Sequence, residues 1–164
     1  MTKIMKGAEP IFQLNSRKGL LFIHGFTGSP YEHKWIAEQF AHMGYSVSVP
    51  LLAGHGTSPK DLRHTTWNDW NNSAKSALFE LKEHTDKVVV VGLSMGGVLA
   101  LHLGAHYEIN GVAALATPFY LNDWKLKLLP LFKYFFNYKN KRNGADVKNL
   151  EQKRMAVHYH SQPL

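Results

Sequence analysis

The pentapeptide Gly92, Leu93, Ser94, Met95, Gly96 constrains this chain more than any other feature. It joins an apolar run at residues 88–91 to a stretch of helical character that extends to about Tyr107, so Ser94 falls at a strand-to-helix corner. A strand feeding straight into a helix leaves little room at the turn. Small residues must flank the serine, and Gly92, Gly96 and Gly97 do so. The free amides of the helix N-terminus then face the serine oxygen. This is the pattern of a nucleophile elbow, and it makes Ser94 the candidate nucleophile.

The surroundings fit such a corner. From Gly19 to about Tyr120, short apolar runs alternate with longer amphipathic ones, which predicts an α/β fold: a mostly parallel sheet with helices on both faces. Strands are expected at residues 20–23, 45–49, 87–91 and 112–115, with a short leading strand at 12–14. The run 88–91 lacks period-two alternation, as a strand covered on both faces should. A first helix is expected from Pro30, capped by Ser29 with Glu32 bonding back, lined by Ile36, Phe40 and Met43 and stopped by Gly44. A second opens near Thr66, with Asp69 three residues on, and aligns Trp67, Trp70, Ala74, Leu78 and Leu81 as a core face. The third runs from Met95 to about Tyr107 and packs Val98, Leu99, Leu101 and Leu103 on the sheet. Residues 1–121 are read as this core. Residues 122–164 are read as a second segment, in which the aromatic-rich stretch from Trp124 to Tyr138 is expected to be a lid, with a core helix or a surface-lying membrane helix as the other readings, followed by a basic tail.

Charge and composition remove several function classes. The net charge of +7 is concentrated late, since residues 119–164 carry nine basic and three acidic side chains against ten and nine before them. Helix-turn-helix, RNP-type and zinc-finger patterns are all missing, so nucleic acid is not the expected partner and the basic tail is read as a solvated face. With no cysteine the chain has no disulfide framework, thiolate nucleophile or thiolate metal site. No run reaches the ~18 apolar residues of a membrane span, and the expectation is a soluble, cytoplasmic protein without stable membrane insertion.

A serine hydroxyl attacks well only when its proton is taken and when donors receive the oxyanion that forms. The expected donors are the backbone amide of Met95, directly after the nucleophile, and that of Phe26 in the loop at residues 24–28. Gly25 and Gly28 let that loop approach a substrate closely. His24, at the strand end, is read as a hydrogen-bonding residue that shapes this loop beside the substrate, and Phe119 as part of an apolar lining. His55 between Gly54 and Gly56 reads as loop scaffolding, and Thr57 and Ser58 as turn residues before Pro59. A phosphate site at the Gly-rich turn is disfavoured, because the lysine and spacing of a P-loop are missing.

Taken together, residues 19–120 resemble the α/β-hydrolase fold, and within it the bacterial carboxylesterases and monoacylglycerol lipases. Residues 24–30 are similar to that family's oxyanion loop, 44–50 to its next strand, 52–59 to its glycine-histidine-glycine loop and 92–97 to its elbow. The resemblance implies hydrolysis of short to medium acyl esters or monoacylglycerols through an acyl-serine intermediate at Ser94, with no cofactor or metal, under a mobile cap. In such enzymes an acid and then a histidine follow the serine on strand ends beyond the cap. Here the later acids are Glu108, Asp123, Asp146 and Glu151, and the later histidines His102, His106, His158 and His160. His102 and His106 ride the helix that leaves the serine, and His158 and His160 lack strand–helix units to carry them. The chain is therefore expected to be the N-terminal part of a longer hydrolase, prone to self-association through an exposed sheet edge. The other reading left open is a non-catalytic module that binds an apolar ligand or a partner.

Overall fold

The computed structural model describes residues 3–120 in full and the backbone of residues 138–140 and 161–163. In chain order the elements are β1 (Ile11–Gln13), β2 (Lys18–Ile23), α1 (Tyr31–His42), β3 (Ser46–Val49), α2 (Pro59–Arg63), α3 (Trp67–His84), β4 (Lys87–Leu93), α4 (Met95–His106), β5 (Gly111–Leu115), β6 (Tyr138–Asn140) and β7 (Ser161–Pro163). The first five strands form one sheet in the order β1-β3-β2-β4-β5. All pairs are parallel except β1 with β3. β6 and β7 pair antiparallel as a separate ribbon. The proposed lid, and with it Asp123, Asp146, Glu151, His158 and His160, lies outside the described residues.

Helices cover both faces, and the sheet's side chains divide accordingly. Leu21, Ile23, Val88 and Val90 join Ala74, Ala77, Leu78 and Leu81 of α3 and Leu99, Ala100 and Leu103 of α4 in one buried cluster. On the other face Leu20, Phe22, Val47 and Val49 meet Ala37 and Ala41 of α1, with Val89 and Val91 packed against them. Apolar contact on both sides explains why residues 88–91 are uniformly valine.

The sheet order fixes where a site can form. From β2 the chain crosses to β3 on one side, then returns to place β4 on the other. Such a reversal opens a crevice beyond the C-terminal ends of the two central strands. The register pairs Ile23 with Gly92, so β2 and β4 end at the same level and the 24–28 loop leaves beside Ser94.

Several local expectations give way. Ser29 does not cap α1. The chain enters this helix through a tight turn in which Glu32 N–H donates to Ser29 O (3.1 Å) and His33 N–H to Pro30 O (3.0 Å). Pro30 is already in the right-handed helical region, and the Ser29 hydroxyl is buried without a hydrogen-bond partner among the described residues. Glu32 bonds elsewhere, as described below. Met43 is 68% exposed, because His33, Ala37 and Ala41 form the inward stripe of α1. Leu101 is turned out between the buried Leu99 and Leu103, since alternate residues cannot share a helix face. Trp67, at the first residue of α3, stands outside the core and its ring meets the edge of His102, whereas Trp70 packs against the core cluster. Residues 59–63 form a short helix where only a turn was expected, with Pro59 in its first turn and the Ser58 hydroxyl accepting the Asp61 N–H (3.1 Å).

Candidate active site

Ser94 stands between the last residue of β4 and the first of α4, with φ 53° and ψ −116°. A serine adopts such a backbone only where the surroundings leave no alternative. Here the surroundings are glycines pressed against backbone. A Cβ on Gly92 would lie 2.1 Å from Gly96 O, and one on Gly96 would lie 2.0 Å from Ile23 O and 2.6 Å from His24 O. One on Gly97 would meet Thr117 Oγ1 at 1.8 Å. The start of α4 therefore rests directly on the end of β2. Ser94 N–H donates to Leu115 O (2.8 Å), and Gly97 N–H closes the first turn of α4 on Ser94 O (2.9 Å). Met95, as the first residue of α4, has an N–H with no carbonyl to bond inside the helix.

The 24–28 loop lies across the crevice. A Cβ on Gly25 would be 3.6 Å from Ser94 Cβ and 3.5 Å from Leu93 O, so this loop and the serine corner are in van der Waals reach. Gly25 is held from three directions. Its N–H donates to Glu32 Oε2 (3.0 Å), and its carbonyl accepts from Gly28 N–H (3.1 Å) and from His24 Nδ1 (3.0 Å). The next amide, that of Phe26, has no hydrogen-bond partner among the described residues. The Phe26 ring is 40% exposed, with His55 and Trp70 at its edge.

His24 shapes the loop from inside the fold. Its side chain is fully buried and both ring nitrogens are committed to backbone: Nε2 accepts from Leu52 N–H (3.1 Å), which leaves the proton on Nδ1 for Gly25 O. Burial, reinforced by neighbouring His55 and opposed by the bond to Gly25, holds its pKa at about 3. It ties the 24–28 loop to the 52–58 loop and takes up no proton near neutral pH. His55 donates from Nδ1 to Ala53 O (3.0 Å), and burial lowers its pKa to about 4. His33, on α1, bonds through Nε2 to Ile23 O (3.1 Å) and anchors the end of β2 from the opposite face. Phe119 is 74% exposed beyond β5. His102 and His106 stack on each other along α4 with ring centroids 4.1 Å apart, the first seven residues beyond the start of the helix. That spacing carries them about 10 Å or more along the rod from the serine corner. Among the described residues no group of three or more His, Asp or Glu converges to hold a metal ion. No described helix is long and apolar enough to cross a membrane.

Glu32 is the residue at this site that sequence reasoning misplaced. Its position in the first turn of α1 suggested a cap. The available signal was Gly28, whose lack of a side chain opens the path along which the carboxylate reaches back: a Cβ there would sit 2.3 Å from Glu32 Oε1.

Comparison with known proteins agrees with this architecture. Residues 20–159 match the alpha/beta hydrolase family. The chain is 41% identical over 113 residues to the thermostable monoacylglycerol lipase of Bacillus sp. (strain H-257), covering 68% of this chain and 45% of that protein. It is 30% identical over 136 residues to a carboxylesterase of Bacillus subtilis (strain 168), covering 82% of this chain and 55% of the relative. It thus spans about half the length of these curated relatives. Among solved structures, one from a study of the metagenome-derived lipolytic enzymes LipS and LipT superposes with a TM-score of 0.90 at 32% identity, over 98% of this chain and 65% of the other. A monoacylglycerol lipase from Paleococcus ferrophilus shares the fold at 15% identity, with a TM-score of 0.71 over 94% of this chain and 65% of that one. A match over most of the sequence, carried by a sheet whose central crevice holds Ser94, places this chain in the alpha/beta hydrolase family.

Proposed function

We propose that this chain supplies the nucleophile and the oxyanion donors of a serine ester hydrolase of carboxylesterase or monoacylglycerol lipase type. The observation that carries this reading is the backbone of Ser94, held at φ 53° in the central crevice with Gly25 packed against it. Ser94 Oγ attacks the ester carbonyl carbon, and the carbonyl oxygen takes the negative charge in the tetrahedral intermediate. The amides of Met95 and Phe26 receive that charge. As the intermediate collapses the alcohol leaves with the proton that Ser94 Oγ gave up, and water then hydrolyses the acyl-serine to the free acid and returns a proton to Oγ. Exposed Phe26 and Phe119 suit an apolar acyl chain of short to medium length. No described histidine acts as the general base, since His24 is locked to backbone and His102 and His106 are carried away along α4. Residues 1–121 form the hydrolase core in this reading, and residues 122–164 the cap segment and its basic tail.

A fluorophosphonate probe tests it. Covalent labelling of the chain clearly above that of Ser94→Ala is the expected result. Labelling no faster than that of Ser94→Ala would refute an activated serine and favour the reading in which the exposed aromatic residues bind an apolar ligand without chemistry.

A further inference from the structure

The loop that carries Phe26 is not a relaxed one. Thr27 sits at φ 61°, in the left-handed region that a β-branched residue rarely adopts. Such a conformation persists only when neighbouring contacts over-determine it. Two of the three bonds that fix Gly25 are local to residues 24–28, namely Gly28 N–H and His24 Nδ1 to its carbonyl. The third comes from outside the loop, from the Glu32 carboxylate to Gly25 N–H at 3.0 Å. The same carboxylate lies along Gly28, so that a side chain there would have to push it aside. Glu32 therefore bonds one end of the turn, at Gly25, and lies against the other, at Gly28, from the first turn of α1. It does so on the side of Gly25 next to Ser94: a Cβ on Gly25 would be 3.6 Å from Ser94 Cβ and 3.7 Å from Glu32 Oε2.

We infer that Glu32 is a positioning residue, which holds the 24–28 loop against Ser94 by accepting the Gly25 N–H. The bond has a second effect. It uses the Gly25 amide internally, so the amide that the loop presents to the crevice is the following one, Phe26. The carboxylate acts as an acceptor and not as a charge, since a negative group close to a forming oxyanion opposes it. An amide at the same place should serve equally well, which separates positioning from electrostatics. The effect on rate rests on the ester-hydrolase reading, whereas the effect on the loop does not.

The full chain and its Glu32→Ala, Glu32→Gln and Ser94→Ala variants are compared in two measurements. In amide-resolved hydrogen exchange, Gly25 is protected in the parent and in Glu32→Gln, and loses protection at least about tenfold in Glu32→Ala, with unfolding midpoints unchanged. In Ser94-dependent hydrolysis of a short p-nitrophenyl ester, Glu32→Ala lowers kcat by about 10- to 100-fold with KM altered less than about threefold, and Glu32→Gln restores kcat to within about threefold. Unchanged Gly25 exchange in Glu32→Ala would overturn the inference, as would lost protection with kcat intact. If the parent hydrolyses no faster than Ser94→Ala, the ester-hydrolase reading fails while the exchange data still decide whether Glu32 holds the loop.

Discussion

Lowering the pH from about 7.5 to about 5 is expected to destabilise the fold by about 4 kcal/mol, through two histidines that cannot accept a proton where they sit. Burial is the main cause for both, and it holds His24 at about 3 and His55 at about 4 against an ordinary value of 6.5. Above 6.5 neither the folded nor the unfolded chain carries these protons, and stability is full. Below 6.5 the unfolded chain takes them up and the folded one does not, so stability falls with pH until the folded values are reached. At about pH 5 both folded groups are still neutral. Each then contributes the gap of about 1.5 pH units at about 1.36 kcal/mol per unit, or about 2 kcal/mol. His33, also lowered by burial, pulls in the same direction. Asp61, Asp69 and Asp86 are lowered by hydrogen bonds from Ser58, Thr66 and Arg17, and they weaken the fold only at more acid pH, outside this window. Urea unfolding followed by circular dichroism at the two pH values is the assay. With a slope of about 2 kcal/mol per molar the midpoint should fall by about 2 M, and His55→Gln should remove about half of that difference. A midpoint that moves by less than about 0.5 M would refute the reasoning, because it would mean that the buried rings protonate without cost.

Gly96→Ala should destabilise the chain by about 1–3 kcal/mol or more, since its methyl group meets two main-chain oxygens of β2 and its following loop that cannot rotate away. Urea unfolding within about 0.5 kcal/mol of the parent would contradict that steric account. Self-association is expected through β5, which among the described residues pairs only with β4 and exposes Val112 and Leu115. Light scattering should show an average mass that falls on dilution, and a monomer at every concentration would rule this out.

What could be read from the sequence followed from features with one physical solution. The crowded glycines around Ser94 allow only a sharp strand-to-helix bend, and valine at four successive positions, 88–91, requires cover on both sides of a strand. The mostly parallel sheet and its alternation with helices came from the same patterns. Errors arose where a residue had two good partners. Glu32 could bond its own helix start or reach back to Gly25, and only the three-dimensional path of the loop decides between them. Met43 and Leu101 are apolar enough for a core, but which stripe of a helix faces inward depends on where its neighbours lie. Trp67 was assigned to the core by spacing alone, yet it is the first residue of α3, stays partly exposed and meets His102 of α4 instead. The tautomer and burial of His24 depend on Leu52, a residue 28 positions away that no local pattern connects to it.

The backbone contact between α4 and β2 has a consequence for how such a site can vary. Because Gly96 lies against the Ile23 and His24 carbonyls with no side chain between, the spacing from the serine corner to the end of β2 is set by main chain, while the loop beyond it is held by the Glu32 side chain. Substitutions at Phe26 or Trp70 would then alter the aromatic surface beside that corner while the seat of Ser94 on β2 stays where it is. The seat of the nucleophile is thereby fixed by main chain, and adjustment of the site falls to the side chains that hold and line the neighbouring loop.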